Sequence, residues 1–555
     1  MKKLILVLAL YSTIAFAQTG FVEINHVVYP FLERMKTMSV LEDYSSFDLP
    51  KTRNLVAKNL VTIHKKKNIL GEIDKNLLSD FLHEFSYDIN YAIEKTNLLP
   101  DFQPSYFLTE NEKYLYSYYD SSQFSLFVNF IGDVQQLSHY DNSSKNAALA
   151  TIIKFGGEIK GSFGENIGYS ILANNGTFFG NRKLVQQKGS LQYNYKFNLS
   201  DSIGIGDDYF DETAGYFTWQ NEFANFKIGR DRINIGHGYI KEIVSSDYPN
   251  MDYFAFDLKY KFFKFTYFHA KLLGSKSSSI DKIQGDINFV TEKFMGYHRF
   301  GFDLGKNTTL GLGEIIIYSN RSLDLSYVNP FNFYKSAEHA NQDRDNSMLF
   351  ADFANYSIPN LKLYVTILID DIDFSKLGTG WFGNQTYLSS GFTYASSLFE
   401  FPINIHGQII RIDPYVFTHR ISDNNFSQLS YNIGPELEPN SITYFIGSEI
   451  YFHHRIKLFT GFRFGIHGAN VEDSDGNTLI NHGGSISQGI RFGDNNEAFF
   501  LDGAREILRG YSLKLTVEPI NNYTLYFHSD YSVNSLDKYN NIYEIKSAIG
   551  LFLRI

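Results

Sequence analysis

The chain has 555 residues, no cysteine and a formal net charge of −10, and its mean hydropathy of −0.22 excludes a membrane protein built of long apolar helices. The negative net charge argues against a nucleic-acid partner. Aromatic residues make up 17%, nearly all of them Phe and Tyr, and they favour β-strands because flat rings suit a half-buried pleated surface.

The first residues, MKKLILVLALYSTIAFA, have the parts of a cleavable export signal. Lys2 and Lys3 form a basic start, residues 4–10 form an apolar core, and Ala15-Phe16-Ala17 is a small-x-small cleavage site. The apolar core is too short to span a membrane, and the chain has no cysteine that could carry a lipid anchor. We therefore predict that residues 1–17 are a signal peptide and that the protein is exported without disulfides.

Residues 18–100 are predicted to form a small N-terminal helical bundle. Three short amphipathic helices are expected, of which Pro30 and Pro50 can open the first two. Short helices can bury their apolar stripes only against one another or against another surface. The apolar positions are Phe31, Leu32, Met35 and Met38 in the first helix, Leu55, Val56, Leu60 and Ile63 in the second, and Leu77, Leu78, Phe81, Leu82 and Phe85 in the third.

From about residue 110 the apolar period changes to two, which is the period of a strand with two different faces. In the segment FDLKYKFFKFTYFHAKL (256–272), Leu258 and Tyr260 alternate with charged residues, and the phase reverses at Phe263. We interpret this reversal as a tight turn between two strands. Similar alternation recurs at 361–369, 511–517, 523–527 and 545–555.

Tight turns on one side and longer Asn/Ser/Asp-rich loops on the other, such as 422–428 and 472–484, are the layout of an outer-membrane barrel. About 440 residues at about 24 per strand predict about 18 strands. The predicted fold is therefore mainly β, with a large transmembrane antiparallel β-barrel at residues 110–555 and a periplasmic helical bundle before it. The aromatic face of the barrel would meet outer-membrane lipid, and the charged face would line the lumen.

The residues of the common enzymatic and metal-binding motifs do not occur at the spacing that those motifs require. The sequence has no HExxH zinc helix, and the adjacent His453 and His454 would point to opposite faces of a strand. GSISQG (484–489) lacks the spacing of a nucleophile elbow, and Gly236-His237-Gly238 is not followed by a helical pattern. The acidic loop 472–477 lacks the downstream Glu of a calcium loop. We predict no enzymatic activity, no catalytic residues, no metal and no cofactor.

Polar clusters within the strand-like sequence provide the candidate ligand-binding residues. Because Arg or Lys on a lipid face costs about 2–4 kcal/mol at the midplane, we expect these side chains to point into the lumen or to lie at its rim. Two interpretations are open: a structural salt-bridge network, which we favour for any single residue, or a saccharide site using bidentate hydrogen bonds. The candidates are Arg230, Arg232, His298, Arg299, Glu314, Asp345, Asn346, Asp370, Asp371, Arg411 and His419.

Several motifs, in order, resemble the capsule assembly Wzi family of outer-membrane proteins. They include YPFLERM (29–35), IGRDRINIGHGY (228–239), KFMGYHRF (293–300), LYVTILIDDIDF (363–374) and RIDPYVFTHR (411–420). The resemblance covers most of the mature chain and is strongest between about 225 and 445. It implies an outer-membrane barrel of about eighteen strands with a blocked lumen and a periplasmic bundle. It also implies a lectin-like role in which the protein holds capsular or other surface polysaccharide without catalysis.

Two other functions stay open at this point. An outer-membrane porin or substrate-specific channel would keep its lumen open, and a barrel hydrolase would need a nucleophile and base that we do not recognise. The expected partners are outer-membrane lipid and surface polysaccharide, with polysaccharide export machinery as a further partner. The expected localisation is the bacterial outer membrane.

Overall fold

A computed structural model describes residues 20–89, 114–120, 123–143, 146–187, 191, 209–245, 248–283, 285–429, 431–537 and 540–555. The predicted signal peptide, residues 1–17, lies outside this part of the chain, as do residues 90–100 of the predicted bundle. No helix among the described residues is long and apolar enough to cross a membrane.

The described helices are short, and three of them lie in the predicted bundle. Pro30 lies within the first turn of the first helix, and the second begins after Thr52, whose hydroxyl accepts the N–H of Leu55 at 3.3 Å. Pro50 therefore precedes the second helix rather than opening it. The helices are α1 (Val28–Thr37), α2 (Arg53–Lys65), α3 (Glu72–Glu84), α4 (Arg182–Gln186), α5 (Leu325–Val328) and α6 (Tyr334–Ala340), with 3₁₀ turns at Lys67–Ile69, Phe374–Lys376 and Ser422–Asn424.

Strands make up most of the rest of the described chain. The first part holds β1 (Asp48–Leu49), β2 (Tyr116–Asp120), β3 (Phe124–Asp141), β4 (Asn146–Phe163), β5 (Ile167–Gly180), β6 (Tyr209–Gln220), β7 (Ala224–Asp231), β8 (Asn234–Ile235), β9 (Met251–Tyr260), β10 (Phe263–Asp281), β11 (Gly285–Asp303) and β12 (Thr308–Ser319). The second part holds β13 (Asn346–Ile358), β14 (Leu361–Asp371), β15 (Gln385–Leu398), β16 (Phe401–Ile412), β17 (Ser427–Gln428), β18 (Tyr431–Asn432), β19 (Ser441–His453), β20 (Ile456–Ala469), β21 (Val471–Glu472), β22 (Thr478–Ile480), β23 (Ala504–Ile520), β24 (Tyr523–Asp537) and β25 (Asn540–Arg554).

Within the described residues, eighteen of these strands form one closed antiparallel barrel, which confirms the predicted fold class. Each strand pairs with the next one in the wall, and β25 pairs back onto β3. The predicted reversal at Phe263 is also confirmed, because β9 ends at Tyr260, β10 begins at Phe263 and Lys261 has a positive φ of 53°. Closure gives every strand of the described wall a partner on both sides, so the backbone groups of the paired parts hydrogen-bond to one another.

The two ends of the barrel differ in the way that the sequence predicts. One end carries two- to four-residue turns such as 261–262, 359–360 and 521–522, and the other carries loops such as 320–345, 413–440 and 470–503. The bundle lies at the end with the tight turns, where Arg34 of α1 donates to the carbonyl of Ile403 at 2.9 Å. We call the two ends the inner end and the outer end.

The wall has an apolar exterior. Its outward side chains are large, aliphatic or aromatic and substantially exposed, and such a band is favourable only against lipid. They include Phe130, Val134, Phe155, Ile159, Ile171, Phe217, Ile228, Ile367, Ile409, Ile446, Leu513, Leu525 and Ile549.

A separate segment folds against the outside of this wall. Residues 325–340, which contain α5 and α6 and which we call the outer flap, cover the exterior of β10, β11 and β12. Tyr327 and Tyr334 of the flap are fully buried against Phe294, Ile316 and Tyr318 of the wall. The loop between β12 and β13 therefore turns outward over the strands.

The seam between the last and first strands has a shared edge. Ile555, directly after β25, exchanges backbone hydrogen bonds with Phe130 of β3. Next to it, β2 pairs with the first residues of β3, from Phe124 to Val128. One edge of β3 is thus occupied by β25 along most of its length and by β2 at the inner end.

Candidate functional site

The loop between β7 and β9 enters the lumen. It spans residues 232–250, of which 246 and 247 lie outside the described set, and we call it the lumen loop. Its β8 pairs antiparallel with β1 of the N-terminal region, with Leu49 opposite Asn234. Its buried apolar residues share one core with Phe47 and with inward residues of β9–β16. They are Ile233, Ile235, Ile243, Val244 and Tyr248. On this side, the lumen is a packed core.

A buried charge pair fixes the lumen loop to the wall. Arg299 of β11 donates to Asp352 of β13 from Nε at 2.7 Å and from Nη2 at 2.8 Å. His237 of the lumen loop contacts the same carboxylate at 2.9 Å, and the guanidinium of Arg299 lies 4.2 Å from the ring of Phe47. Burial lowers the pKa of His237 to about 4, so its imidazole is neutral near pH 7. Wall, lumen loop and N-terminal segment thus meet around the Arg299–Asp352 pair.

Lys362 of β14 joins the same loop to the helical bundle. Its Nζ donates to Glu33 of α1 at 2.7 Å and to the carbonyl of His237 at 2.9 Å. Burial alone would raise the pKa of Glu33, but the charge of Lys362 and the hydrogen bonds of the carboxylate lower it to about 2. Glu33 is therefore ionised at neutral pH and forms a buried ion pair.

A third buried carboxylate, Glu242, lies in the lumen loop itself. It accepts the backbone N–H of Gly238 at 2.9 Å, and burial raises its pKa to about 7. The neighbouring Lys241 donates to the carbonyl of Gly236 at 3.0 Å, and burial lowers its pKa to about 8. Gln408 of β16 bonds the backbone of Ile240 in both directions, at 3.0 and 2.8 Å. These groups hold the tip of the loop against the wall.

The other side of the lumen holds a cavity of about 680 Å³ between the bundle and the wall. A site of this volume is within the range of small-molecule pockets. Its walls come from the segment 21–27, from α3, from β3–β6 and from β19, β23, β24 and β25. Arg232 is the one predicted candidate that lines it.

Two charged clusters line this cavity. In one, Glu212 accepts from Lys154 at 3.4 Å and from Arg232 at 3.3 Å. In the other, Glu158 accepts from Lys160 at 3.0 Å and also from Arg554. Both clusters combine carboxylate, ammonium and guanidinium groups on the walls of the same cavity. They can therefore offer donors and acceptors to a polyhydroxylated ligand.

An aromatic stack lies in the same half of the lumen. Tyr239 of the lumen loop stacks face to face on Phe445 and Phe459, with ring centroids 4.9 and 4.8 Å apart. The two Phe rings lie over Gly447 and Gly461, where a Cβ would come within 2.8 and 3.0 Å of them. The glycines thus make room for the stack, and Tyr239 keeps 36% of its surface exposed.

Four predicted candidates face the lumen. They are Arg232, Arg299, Asn346 and Asp370. Asp370 accepts the N–H of Phe417 at 2.6 Å, and Asn346 donates to the carbonyl of Asn424 at 3.1 Å. The last two contacts hold the loop 413–440 at the outer end. In that loop, the Nδ1 atom of His419 accepts the N–H of Ile421 at 3.0 Å, and burial lowers the pKa of His419 to about 4.

Five candidates have side chains on the exterior. For His298 and Glu314, which lie within β11 and β12, the expected orientation is wrong. Arg230, Asp371 and Arg411 point outward at the outer rim, which the expectation included. Adjacent strand residues point to opposite faces, so His298-Arg299 and Asp370-Asp371 cannot both face inward. Arg230 pairs with Asp252 at 2.7 Å, and Arg411 pairs with Asp413 at 2.8 Å. Both pairs lie at the outer ends of strands, where a charge costs about 0–1 kcal/mol.

His298 and Glu314 avoid lipid in another way, because the outer flap covers them. They contact each other at 3.0 Å, and both side chains are 5% exposed. At the base of the flap, Asp345 accepts from Arg321 at 2.7 and 2.6 Å and from Tyr327 at 2.7 Å. The eleven candidates therefore do not form one site.

Sequence reasoning missed the residues that organise the lumen. They are Glu33, His237, Glu242, Asp352 and Lys362, together with Glu158 and Arg554 of the cavity. Lys362 could have been found from the sequence, because it is the one cation among the lumen-facing positions of an apolar strand. Among the described residues, no group of three or more His, Asp or Glu side chains is placed to hold a metal ion.

No protein family and no curated protein matches this sequence. Among solved structures, the chain is similar to Wzi of Escherichia coli, described as an outer-membrane protein involved in group 1 capsule assembly and a carbohydrate-binding β-barrel. That similarity has a TM-score of 0.57 at 11% identity and covers 96% of this chain and 99% of the other. It confirms the fold expected from the resemblance.

Similarities to porins are weaker. A BenF-like porin from Pseudomonas fluorescens has a TM-score of 0.43 at 10% identity, over 77% of this chain and 99% of the other. OpdK of Pseudomonas aeruginosa, solved with vanillate, has a TM-score of 0.42 at 9% identity, again over 77% and 99%.

Proposed function

We propose that this chain is a non-enzymatic outer-membrane protein that binds or anchors capsular or other surface polysaccharide. The observation that carries this proposal is the occupied lumen: the lumen loop, joined to the bundle through β1 and Lys362, fills one side and leaves a charged cavity on the other. A general pore needs a continuous water-filled path, whereas this arrangement favours retention of a ligand.

The chemistry of the cavity and of the aromatic stack suits a saccharide. Ion-paired Arg and carboxylate groups form strong, directional hydrogen bonds, which match neighbouring sugar hydroxyls. Tyr239 keeps 36% of its surface exposed, and an aromatic ring is the kind of apolar group on which a sugar ring can pack. The similarity of fold to a carbohydrate-binding barrel supports the same assignment.

Within this proposal, outer-membrane lipid surrounds the barrel after export by the predicted signal peptide. The helical bundle at the inner end faces the periplasm, where polysaccharide export machinery would approach it. No cofactor takes part, because binding alone holds the polymer.

The alternative is an outer-membrane porin or substrate-specific channel. It draws support from polar, partly exposed side chains that face the lumen on β23 and β24, including Lys514 and the pair His528–Asp530 at 2.8 Å. Planar-bilayer recordings separate the two functions. The proposed binding protein should show little or no conductance, whereas stable open channels in the wild-type protein would favour the alternative.

Glycan binding by the refolded protein tests the proposal directly. Arg232→Gln removes a cation from the cavity, and Arg230→Gln is a matched control because Arg230 lies two residues away on the exterior. We expect Arg232→Gln to weaken binding of a surface polysaccharide by about tenfold, the scale of one charged hydrogen bond, and Arg230→Gln to leave it unchanged. No binding by the wild-type protein to acidic or neutral surface polysaccharides would reject the proposal.

A further inference from the structure

The outer flap presents an unusual surface for a segment outside a barrel. Its tip is apolar and exposed: Leu325 is 80% exposed, Phe331 67% and Phe333 52%. The residues that follow this tip towards β13, 335–345, read KSAEHANQDRD and are mostly polar. Apolar exposure is thus concentrated in one part of the flap.

The apolar tip lies at the level of the apolar band. Phe331 stacks on Phe265 of β10, with ring centroids 5.0 Å apart. Phe265 pairs with Phe300, which pairs with Leu312, seven residues before the end of β12 at Ser319. Seven residues correspond to about 23 Å along a strand, or about 18 Å in height for a strand tilted by about 40°, and the apolar band of such barrels is about 25 Å tall. The tip is therefore far from the outer rim.

The wall supplies polar partners for the backbone of the flap. Tyr267 donates to the carbonyl of Val328 at 2.7 Å, and His298 contacts the carbonyl of Pro330 at 3.0 Å. Glu314 accepts the N–H of Tyr334 at 2.9 Å. Irregular backbone is tolerated at membrane depth only where its polar groups are satisfied by protein, and each unpaired group costs several kcal/mol. These contacts explain why His298 and Glu314 are placed on the exterior of the wall.

We propose that the tip of the outer flap, residues 325–334, is embedded in the bilayer and that its exposed apolar side chains contact lipid acyl chains. The surface is continuous with the apolar exterior of the barrel, which already selects lipid as its surroundings. The flap widens the barrel on the side of β10–β12, and its polar end lies nearer the headgroups. This inference does not depend on the proposed polysaccharide function.

Depth-dependent fluorescence quenching tests this placement in proteoliposomes with lipids brominated at mid-chain. The two natural tryptophans provide references, since Trp219 lies on the exterior wall and is 37% exposed, while Trp381 lies in the loop between β14 and β15. Phe331→Trp is made in a chain carrying Trp219→Phe and Trp381→Phe. We expect its quenching to be within about twofold of that of Trp219 alone and well above that of Trp381 alone.

Quenching of the Phe331→Trp chain no stronger than that of Trp381 would overturn the proposal. Photolabelling of the unmodified protein with a diazirine-bearing phospholipid is an independent measurement, and we expect adducts within residues 325–334. If those residues stay unlabelled while the exterior face of the wall acquires adducts, the tip does not contact acyl chains and the proposal is wrong.

Discussion

Arg299 and Asp352 face each other inside the barrel through two parallel N–H···O contacts, and both side chains are nearly inaccessible to water. Because His237 shares the carboxylate, this pair fixes the lumen loop as well as two neighbouring regions of the wall. The stability of the occupied lumen should depend on it.

Asp352→Ala should lower the free energy of unfolding by about 3–5 kcal/mol, because it leaves the Arg299 guanidinium buried without a counter-charge. Heat-induced loss of the compact barrel band on a denaturing gel would measure this. Asp252→Ala, which breaks the half-exposed pair with Arg230, is the matched control and should cost less than about 1 kcal/mol. Equal losses in the two variants would contradict the role assigned to Asp352.

Glu242→Gln should stabilise the protein above pH 7. Burial raises the pKa of Glu242 from 4.5 to about 7, so the folded state binds the proton more tightly than the unfolded state. Its contribution to stability is therefore fully present below pH 4.5 and is lost as the pH rises to 7. Relative to wild type, the variant should gain up to about 3 kcal/mol at pH 8. Unfolding curves at pH 4.5 and 8 measure this difference, and a pH-independent difference would refute it.

Lys362→Met should loosen the contact of the bundle with the barrel. The depressed pKa of Glu33 means that its stabilising effect is present above pH 4.5 and is lost as the pH falls towards 2. The protection factors of the α1 amides, in which the intrinsic pH dependence of exchange is divided out, should therefore fall on acidification in the wild type. In the variant, exchange should already be fast at pH 7, because Glu33 has lost its buried cation. Lys306→Met, at the exposed pair with Glu42, should leave exchange in α1 unchanged.

Glu314→Ala should partly release the outer flap. The N–H of Tyr334 loses its acceptor and His298 loses its partner, which together cost about 2–4 kcal/mol of local stability. Trypsin should then cut after Lys335 faster than in the wild type, as mass spectrometry of the fragments would show. Glu292→Ala removes an exposed exterior carboxylate that is 3.7 Å from Lys271 and should not change cleavage. Resistance of the Glu314→Ala chain would mean that apolar contacts alone hold the flap.

Much of the wall could be predicted from the sequence, because strand periodicity is local. The alternation around Leu258 and its reversal at Phe263 specify two strands and the turn between them, and the chain length gives the strand number. By the same alternation, Arg299 can face the lumen only if its neighbour His298 faces the exterior. His298 is tolerated on the exterior because the outer flap covers it. The flap lies thirty residues further along the chain and has no periodic signal in the sequence.

The lumen was less predictable for the same reason. The lumen loop is a mixed polar and apolar segment, and its burial depends on β1, which lies far away in sequence. Asp352 and Glu33 become important only when that loop is in place. Candidates chosen by charge alone therefore include residues whose hydrogen bonds hold loops in place, such as Asp370 and Asp345. They include only one residue that lines the cavity, Arg232.

The edge of β3 that β2 and β25 share restricts how the barrel can close. Since β2 occupies the inner part of that edge, the final segment has a physical stop at Ile555 and cannot slide further inward. A slip of one position would turn Ile549 and its alternate neighbours towards water and Lys546 towards lipid. The position of β2 thus fixes the register of β25 against β3, the one pair of neighbouring strands in the described wall that no loop or turn connects.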